Sequence, residues 1–341
     1  MIYQNQQKYI FLKQIVMNLK IAKKFILYKS LIQISICSII QNSKGGIHMG
    51  LTVKINRKSL FGNKKVDVKY MLKVCHLKYG SRNEFAVLDE DKINNDTFVA
   101  YNPNAIGRGI FFDCREINSG KIEIGISFPT TEKEIDDFMN VIKEINSQLK
   151  KIEILCIEEN KRYKFGELIN EKDRIVEFSL KTLKEGCLKN MNMPLTYTLA
   201  MWPVILTNEQ RNEFSKSNDL KQFEILLNEK QKIDAYYAKP RIYRNSVNNT
   251  TVAVYTLTED CDSIFPVDGN NFMNLEKIEI DEILIQFYFF SEKRVADGIY
   301  NYNKFIDEIM KDSIDYFDER HILIKPLTKN DINKIIEVIK N

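Results

Sequence analysis

The stretch GIFFDCREINSGKIEIGISFPTTEKEIDDFMNVIKEI, residues 109–145, decides the fold class. It opens with two alternating runs, GIFFDCREI and KIEIGISF, parted by Asn118-Ser119-Gly120. Period-two alternation marks half-buried strands, and a Gly-bearing turn between two such runs marks a hairpin. At Pro129-Thr130-Thr131 the period changes. Thr131-x-x-Glu134 has the form of a capping box. Beyond it Ile135, Phe138, Met139, Ile142, Ile145 and Leu149 recur at helical spacing. Paired strands leading into an amphipathic helix place the chain in the α+β class.

Upstream, residues 51–56 and 97–103 read as strands and 66–77 as a helix. Gly62-Asn-Lys64-Lys65 is basic and Gly-bearing but lacks phosphate-loop spacing, so it reads as a turn. Downstream, 152–157 is a strand, 171–189 a helix, and 193–203 an apolar loop or short strand. Thr207-x-x-Gln210 caps one helix, and another runs from Asp219 to about Tyr236. Strands return with PRIYR, TTVAVYTL and residues 278–290, where FYFF (287–290) is apolar on both faces and so central. A helix at 303–314, the strand HILIKP and a helix capped by Thr328-x-x-Asp331 close the chain.

The two Pro-entered helices resemble one another. PTTEKEIDDFMNVIKE (129–144) and PLTKNDINKIIEVIKN (326–341) agree at six of sixteen positions, and each follows an alternating strand. One reading is an internal duplication, two related α+β halves each ending in strand, Pro and capped helix. The other is convergence, because Pro, a Thr cap and an acidic third residue are each favoured at a helix start. The expected organisation is an N-terminal α+β half at 49–157, a helical middle at 158–236 and a C-terminal α+β half at 237–341.

Residues 1–48 stand apart. They carry seven lysines and no Asp or Glu. Lys44-Gly45-Gly46 before Met49 can be written in codons that contain a bacterial ribosome-binding sequence. The segment is therefore expected to be translated leader, disordered or poorly packed, with Met49 as the start. A signal peptide, a membrane anchor and a tag are the alternatives, but the uncharged run 30–43 is short for a spanning helix and no A-x-A-like site ends it. The whole chain has 50 basic and 46 acidic residues; without those seven lysines the balance is 43 to 46. A slightly acidic body excludes the basic footprint of a nucleic-acid or membrane-surface protein. Six widely spaced cysteines with no C-x-x-C pair argue against a disulfide framework or a zinc site and for a reducing cytoplasm.

Chemistry-bearing groups are sparse. His76, beside Cys75, and His321, opening a strand, read as structural residues. The clearest candidate is the loop YNPNAIGRGI, 101–110. Gly107 and Gly109 around Arg108 are the candidate ligand-binding residues: their backbone N–H groups are able to form an anion nest, with Arg108 as a clamp. The plain alternative is a tight connection in which Gly supplies a positive φ. No metal site, cofactor motif or catalytic constellation stands out.

MGLTVKINRKSLFGNKK (49–65), YNPNAIGRGI, ISFPTTEKEIDDFMNVIKEI (126–145), AYYAKPRIY (235–243) and FDERHILIKPLT (317–328) together resemble an uncharacterised bacterial family, domain of unknown function 4299. The resemblance covers residues 49–341 and carries no activity, so it implies no catalytic residue. The expectation is a cytoplasmic, non-enzymatic binding or regulatory protein. Its expected partner is another protein, with no nucleic acid, membrane, metal or cofactor. The alternative is an enzyme of unrecognised class with a site near Gly107-Arg108-Gly109.

Overall fold

The computed structural model describes residues 26–27, 50–57, 65–189, 191–244, 249–270, 278–312 and 314–340. The leader reading of residues 1–48 therefore lies outside the described residues except at Ile26–Leu27, whose backbone pairs antiparallel with Tyr243 and Arg244. The turn at Gly62 also lies outside them. The chain divides into two compact units, residues 34–233 and residues 234–341 with 1–33. Among the described residues no helix is long and apolar enough to cross a membrane.

The first unit contains β1 (Gly50–Arg57), α1 (Val68–Val74), β2 (Lys78–Arg82), β3 (Leu88–Glu90), β4 (Thr97–Tyr101), β5 (Ile110–Asp113) and β6 (Lys121–Ser127). These are followed by α2 (Glu132–Leu149), β7 (Ile152–Cys156), β8 (Lys161–Tyr163), α3 (Phe165–Ile169) and α4 (Lys172–Leu188). A small antiparallel hairpin, β9 (Leu195–Thr198) and β10 (Pro203–Leu206), and the helices α5 (Asn208–Ser215) and α6 (Lys221–Lys232) complete it. The eight strands β1–β8 make one sheet of order β3-β2-β4-β5-β6-β1-β7-β8, antiparallel throughout. The β5–β6 hairpin forms as read, and Gly120 in its turn has φ 76°.

Helix α2 lies on one face of this sheet. Ile135, Phe138, Val141, Ile142 and Ile145 are fully buried in a cluster with Val53 and Ile55 of β1, Phe112 of β5 and Ile124 of β6. Alternation places Phe98 and Ala100 of β4 in this core, and Val99 and Tyr101 in a smaller cluster with Ile106 and Ala200. Every residue of β4 is accordingly buried.

The second unit holds β11 (Tyr236–Tyr237), β12 (Arg241–Arg244), β13 (Thr251–Thr258), β14 (Ser263–Pro266), β15 (Glu282–Phe289), β16 (Arg294–Val295) and β17 (Tyr300–Asn301). It ends with α7 (Tyr302–Ile309), β18 (Asp315–Tyr316), β19 (His321–Ile324) and α8 (Lys329–Ile339). One sheet has the order β12-β13-β15-β16, with β13 and β15 parallel and β17 also on β15. A second sheet has the order β11-β14-β19-β18. Phe287 and Phe289 of the FYFF run are buried in a strand paired on both sides.

The two Pro-entered helices stand on different topologies. Helix α2 follows β6, an inner strand of the eight-stranded antiparallel sheet, and α8 follows β19 of the four-stranded one. β4 and β6 share a sheet, whereas β13 and β19 do not. The two helices thus share a locally capped start but not the strand order of the sheets they follow, and a common origin of the halves is not shown. Thr131 and Thr328 each accept the N–H of the third helical residue, Glu134 and Asp331, and Ile135 and Ile332 are each fully buried four residues after the cap.

Candidate functional site

The loop singled out in the sequence is built around the N-terminus of α2. Thr131 caps that helix and accepts the Glu134 N–H at 3.0 Å. In a full capping box the side chain of the third helical residue returns to the cap's own N–H. Gln210 does so for Thr207 at 3.0 Å and Asp331 for Thr328 at 3.2 Å. Glu134 instead turns to the loop. It accepts the Arg108 N–H at 3.2 Å, the Gly109 N–H, and the hydroxyl of Thr130. Arg108 and Gly109 thus direct their backbone N–H groups at the chain's own Glu134, 4 % exposed.

Both glycines are set by this packing. A Cβ on Gly107 would lie 2.8 Å from Glu134 Oε1. Gly109 has φ +88°, and a Cβ there would overlap Val99 Cγ1. The Arg108 side chain donates from Nε to Thr198 O at 3.2 Å and from Nη1 to Phe128 O at 2.9 Å, and it sits 5.2 Å over the Tyr197 ring. Arg82 Nη2 donates to Arg108 O at 2.6 Å and Leu199 O at 2.8 Å. Gln231 Nε2 donates to Gly107 O at 2.8 Å. Thr130 is tied to α4, donating its N–H to Ser179 Oγ at 2.8 Å while the Ser179 hydroxyl donates to Thr130 O at 2.7 Å.

Burial raises the Glu134 carboxyl above the usual carboxylate range, against the pull of Thr130, Gly109 and Arg108. Burial lowers Arg108, and it brings Arg82 to about 10 with the Arg108 charge acting in the same direction. The assembly acts as a joint: it locks loop 106–109, the entrance of α2, α4 and the 197–200 segment together.

A second cluster lies in the other unit. Asp318 Oδ1 accepts the His321 N–H and faces His321 Nδ1, each at 2.8 Å, while Tyr237 Oη lies 3.1 Å from His321 Nε2. The order Asp–His–Tyr has the connectivity of a proton relay. All three residues are buried, and burial holds the Tyr237 phenol well above its ordinary value. The cluster joins β11 to β19 and the turn before it.

The third feature is a cleft of about 600 Å³ in the first unit. It is lined by the end of α1 (Cys75, His76), the loop after β4 (Asn102, Asn104) and the polar edge of α2. That edge is the stripe Lys133, Asp137, Asn140, Glu144 and Ser147, spaced by four and three residues. The spacing is visible in the sequence, where it passes for an ordinary solvated face of an amphipathic helix. Asp137 accepts Lys133 Nζ at 2.8 Å and Asn102 Nδ2 at 3.0 Å. Burial first, then Glu144 and Asp137, push the Cys75 thiol up to about 11. Burial likewise raises Cys114 to about 12 and Cys187 to about 11. A thiol held protonated is a poor nucleophile.

Among the described residues no group of three or more His, Cys, Asp or Glu is arranged to hold a metal ion. A family model described as a domain of unknown function (DUF4299) matches residues 50–335. No curated protein matches the chain, and no solved structure matches it.

Proposed function

We propose, from the premise that the chain belongs to the DUF4299 family, a domain of unknown function, that it acts by non-covalent binding, with another protein as partner, in a bacterial cytoplasm. The observation that carries this reading is the internal use of the reactive groups. The Arg108 loop closes on Glu134, and the buried thiols are held protonated. The free cysteines at 75, 114, 156, 187 and 261 accord with a reducing compartment. The recognition surface in this reading is the cleft along α2. Its Asn102, Asn104 and Asn140 carry amide groups of the same donor and acceptor type as a peptide backbone. The volume falls within the roughly 300–1,000 Å³ common for binding sites.

The test is affinity capture from a DUF4299-bearing bacterial host, comparing the wild type with an Asn104→Ala/Asn140→Ala double variant of equal melting temperature. One protein retained by the wild type and lost by the variant is the expected result. Equal retention removes the cleft from the reading. Turnover of a small substrate that Arg108→Lys abolishes in a folded protein would replace binding with the enzymatic alternative.

A further inference from the structure

The Asp318–His321–Tyr237 cluster fixes which ring nitrogen of His321 carries the hydrogen. Asp318 Oδ1 accepts the Arg320 N–H at 2.9 Å and the His321 N–H at 2.8 Å. An oxygen that receives two backbone donors is an acceptor. The third group facing it, His321 Nδ1 at 2.8 Å, therefore carries a hydrogen. In the neutral imidazole Nε2 is then bare, and it accepts the Tyr237 hydroxyl 3.1 Å away. Burial keeps that phenol protonated, so it arrives as a donor. The Asp318 and His321 side chains are 1 % and 4 % exposed, so water does not compete for these bonds.

The strand held in this way is short. β11 has two residues, paired in parallel with Ser263 and Ile264 of β14. Its backbone bonds run from the Tyr236 N–H to Asp262 O and from the Ala238 N–H to Ile264 O, each at 2.8 Å. It is also the first strand after the division of the chain between residues 233 and 234. The Tyr237–His321 bond reaches past β14 to β19, two strands away in the sheet. Opposite His321 on β14 stands Pro266, which has no ionisable group. On β18 the charged residue, Asp315, stands opposite Leu323 and 3.8 Å from Lys325 Nζ. The ring thus answers to Asp318 on one nitrogen and to Tyr237 on the other.

Histidine is the side chain that changes charge in the physiological pH range. A proton added to Nε2 turns this acceptor into a donor, and it then faces the donating Tyr237 hydroxyl. Asp318 keeps its bond to Nδ1 in both states, so the change falls on the Tyr237 side. There the phenol must turn its hydrogen away or withdraw, and the bond that pinned β11 is lost.

We propose that this cluster is a proton-operated latch on β11: neutral His321 holds Tyr237 and with it the start of the second unit, and protonated His321 lets that strand open locally. The inference stands apart from the cleft and from any protein partner.

Nitrogen NMR of the full chain, labelled at histidine, tests the first step. At about pH 8 His321 should have Nδ1 protonated and Nε2 bare, and acidification should protonate Nε2. A hydrogen on Nε2 in the neutral ring, or a His321 that does not titrate before the protein unfolds, overturns the latch. Amide exchange tests the second step. Corrected for the intrinsic rate, protection at Tyr236 and Ala238 should fall about fivefold between about pH 7.5 and 5.5, the equivalent of one ordinary hydrogen bond. Tyr237→Phe keeps the ring and loses the hydroxyl, so its protection there should be low at both pH values. Unchanged protection in the wild type, or the same pH dependence in Tyr237→Phe, overturns the latch. So does an equal loss in 97–127, which would mark general acid unfolding.

Discussion

Glu134 is where one residue's chemistry reaches furthest. Its carboxylate satisfies two backbone N–H groups and a hydroxyl from segments about 25 residues apart. Glu134→Ala leaves those donors unpaired beside Arg108, and it should cost about 3–5 kcal/mol, read from urea unfolding. A loss below about 1 kcal/mol would remove the joint from the account. Its pH dependence has a definite sign. A carboxyl whose pKa is raised by folding binds its proton more tightly in the native state. Its contribution is therefore fully present below the unfolded glutamate pKa and declines as pH rises through the higher folded value. The wild type should lose stability relative to Glu134→Gln over that window; a relative gain would contradict the burial effect. Gly109→Ala meets both the φ of +88° and Val99, and should cost about 2–4 kcal/mol.

At the scale of elements, two devices hold the helices. Helix α2 is anchored by its apolar stripe, with Phe138 enclosed. Phe138→Ala should cost about 3–5 kcal/mol, and an unchanged melting temperature would refute the packing. Helix α4 ends on Arg211, a side chain 2 % exposed. Its guanidinium donates to Cys187 O at 3.2 Å, Lys189 O at 2.7 Å and Met193 O at 2.7 Å, meeting the negative end of the helix dipole. One planar fork spans three carbonyls, which an ammonium does not. Arg211→Lys should therefore cost about 2 kcal/mol or more although charge is kept. Full stability in that variant would show that charge alone suffices.

At the scale of the molecule, each unit has its own core: one on α2 and the eight-stranded sheet, the other around Tyr255, Phe265, Phe287 and Phe305. Phe305→Ala should therefore speed amide exchange in 251–266 and 282–289 before it does so in 97–127, since the cavity opens in a separate cluster. Simultaneous loss of protection in both units would contradict separate cores.

The sequence by itself determined what depends on neighbours three, four or two residues away. The β5–β6 hairpin, helix α2 and its buried stripe, the Thr caps and the central FYFF strand were all legible, because periodicity and capping are local properties of the chain. The family was legible differently, as a resemblance carried by whole stretches such as YNPNAIGRGI, and the family model matches residues 50–335. Tertiary structure alone decided the rest. Thr131-x-x-Glu134 reads as a closed capping box, yet Glu134 serves a loop brought to it by the sheet. The two Pro-entered helices look alike, yet they stand on sheets of different strand order. The polar edge of α2 reads as solvated surface until α1 and the 102–104 loop wall it into a cleft. In each case the deciding partner is distant in sequence. A side chain able to bond locally or at long range leaves the same local pattern either way, and only the assembled sheet brings the stronger partner within reach.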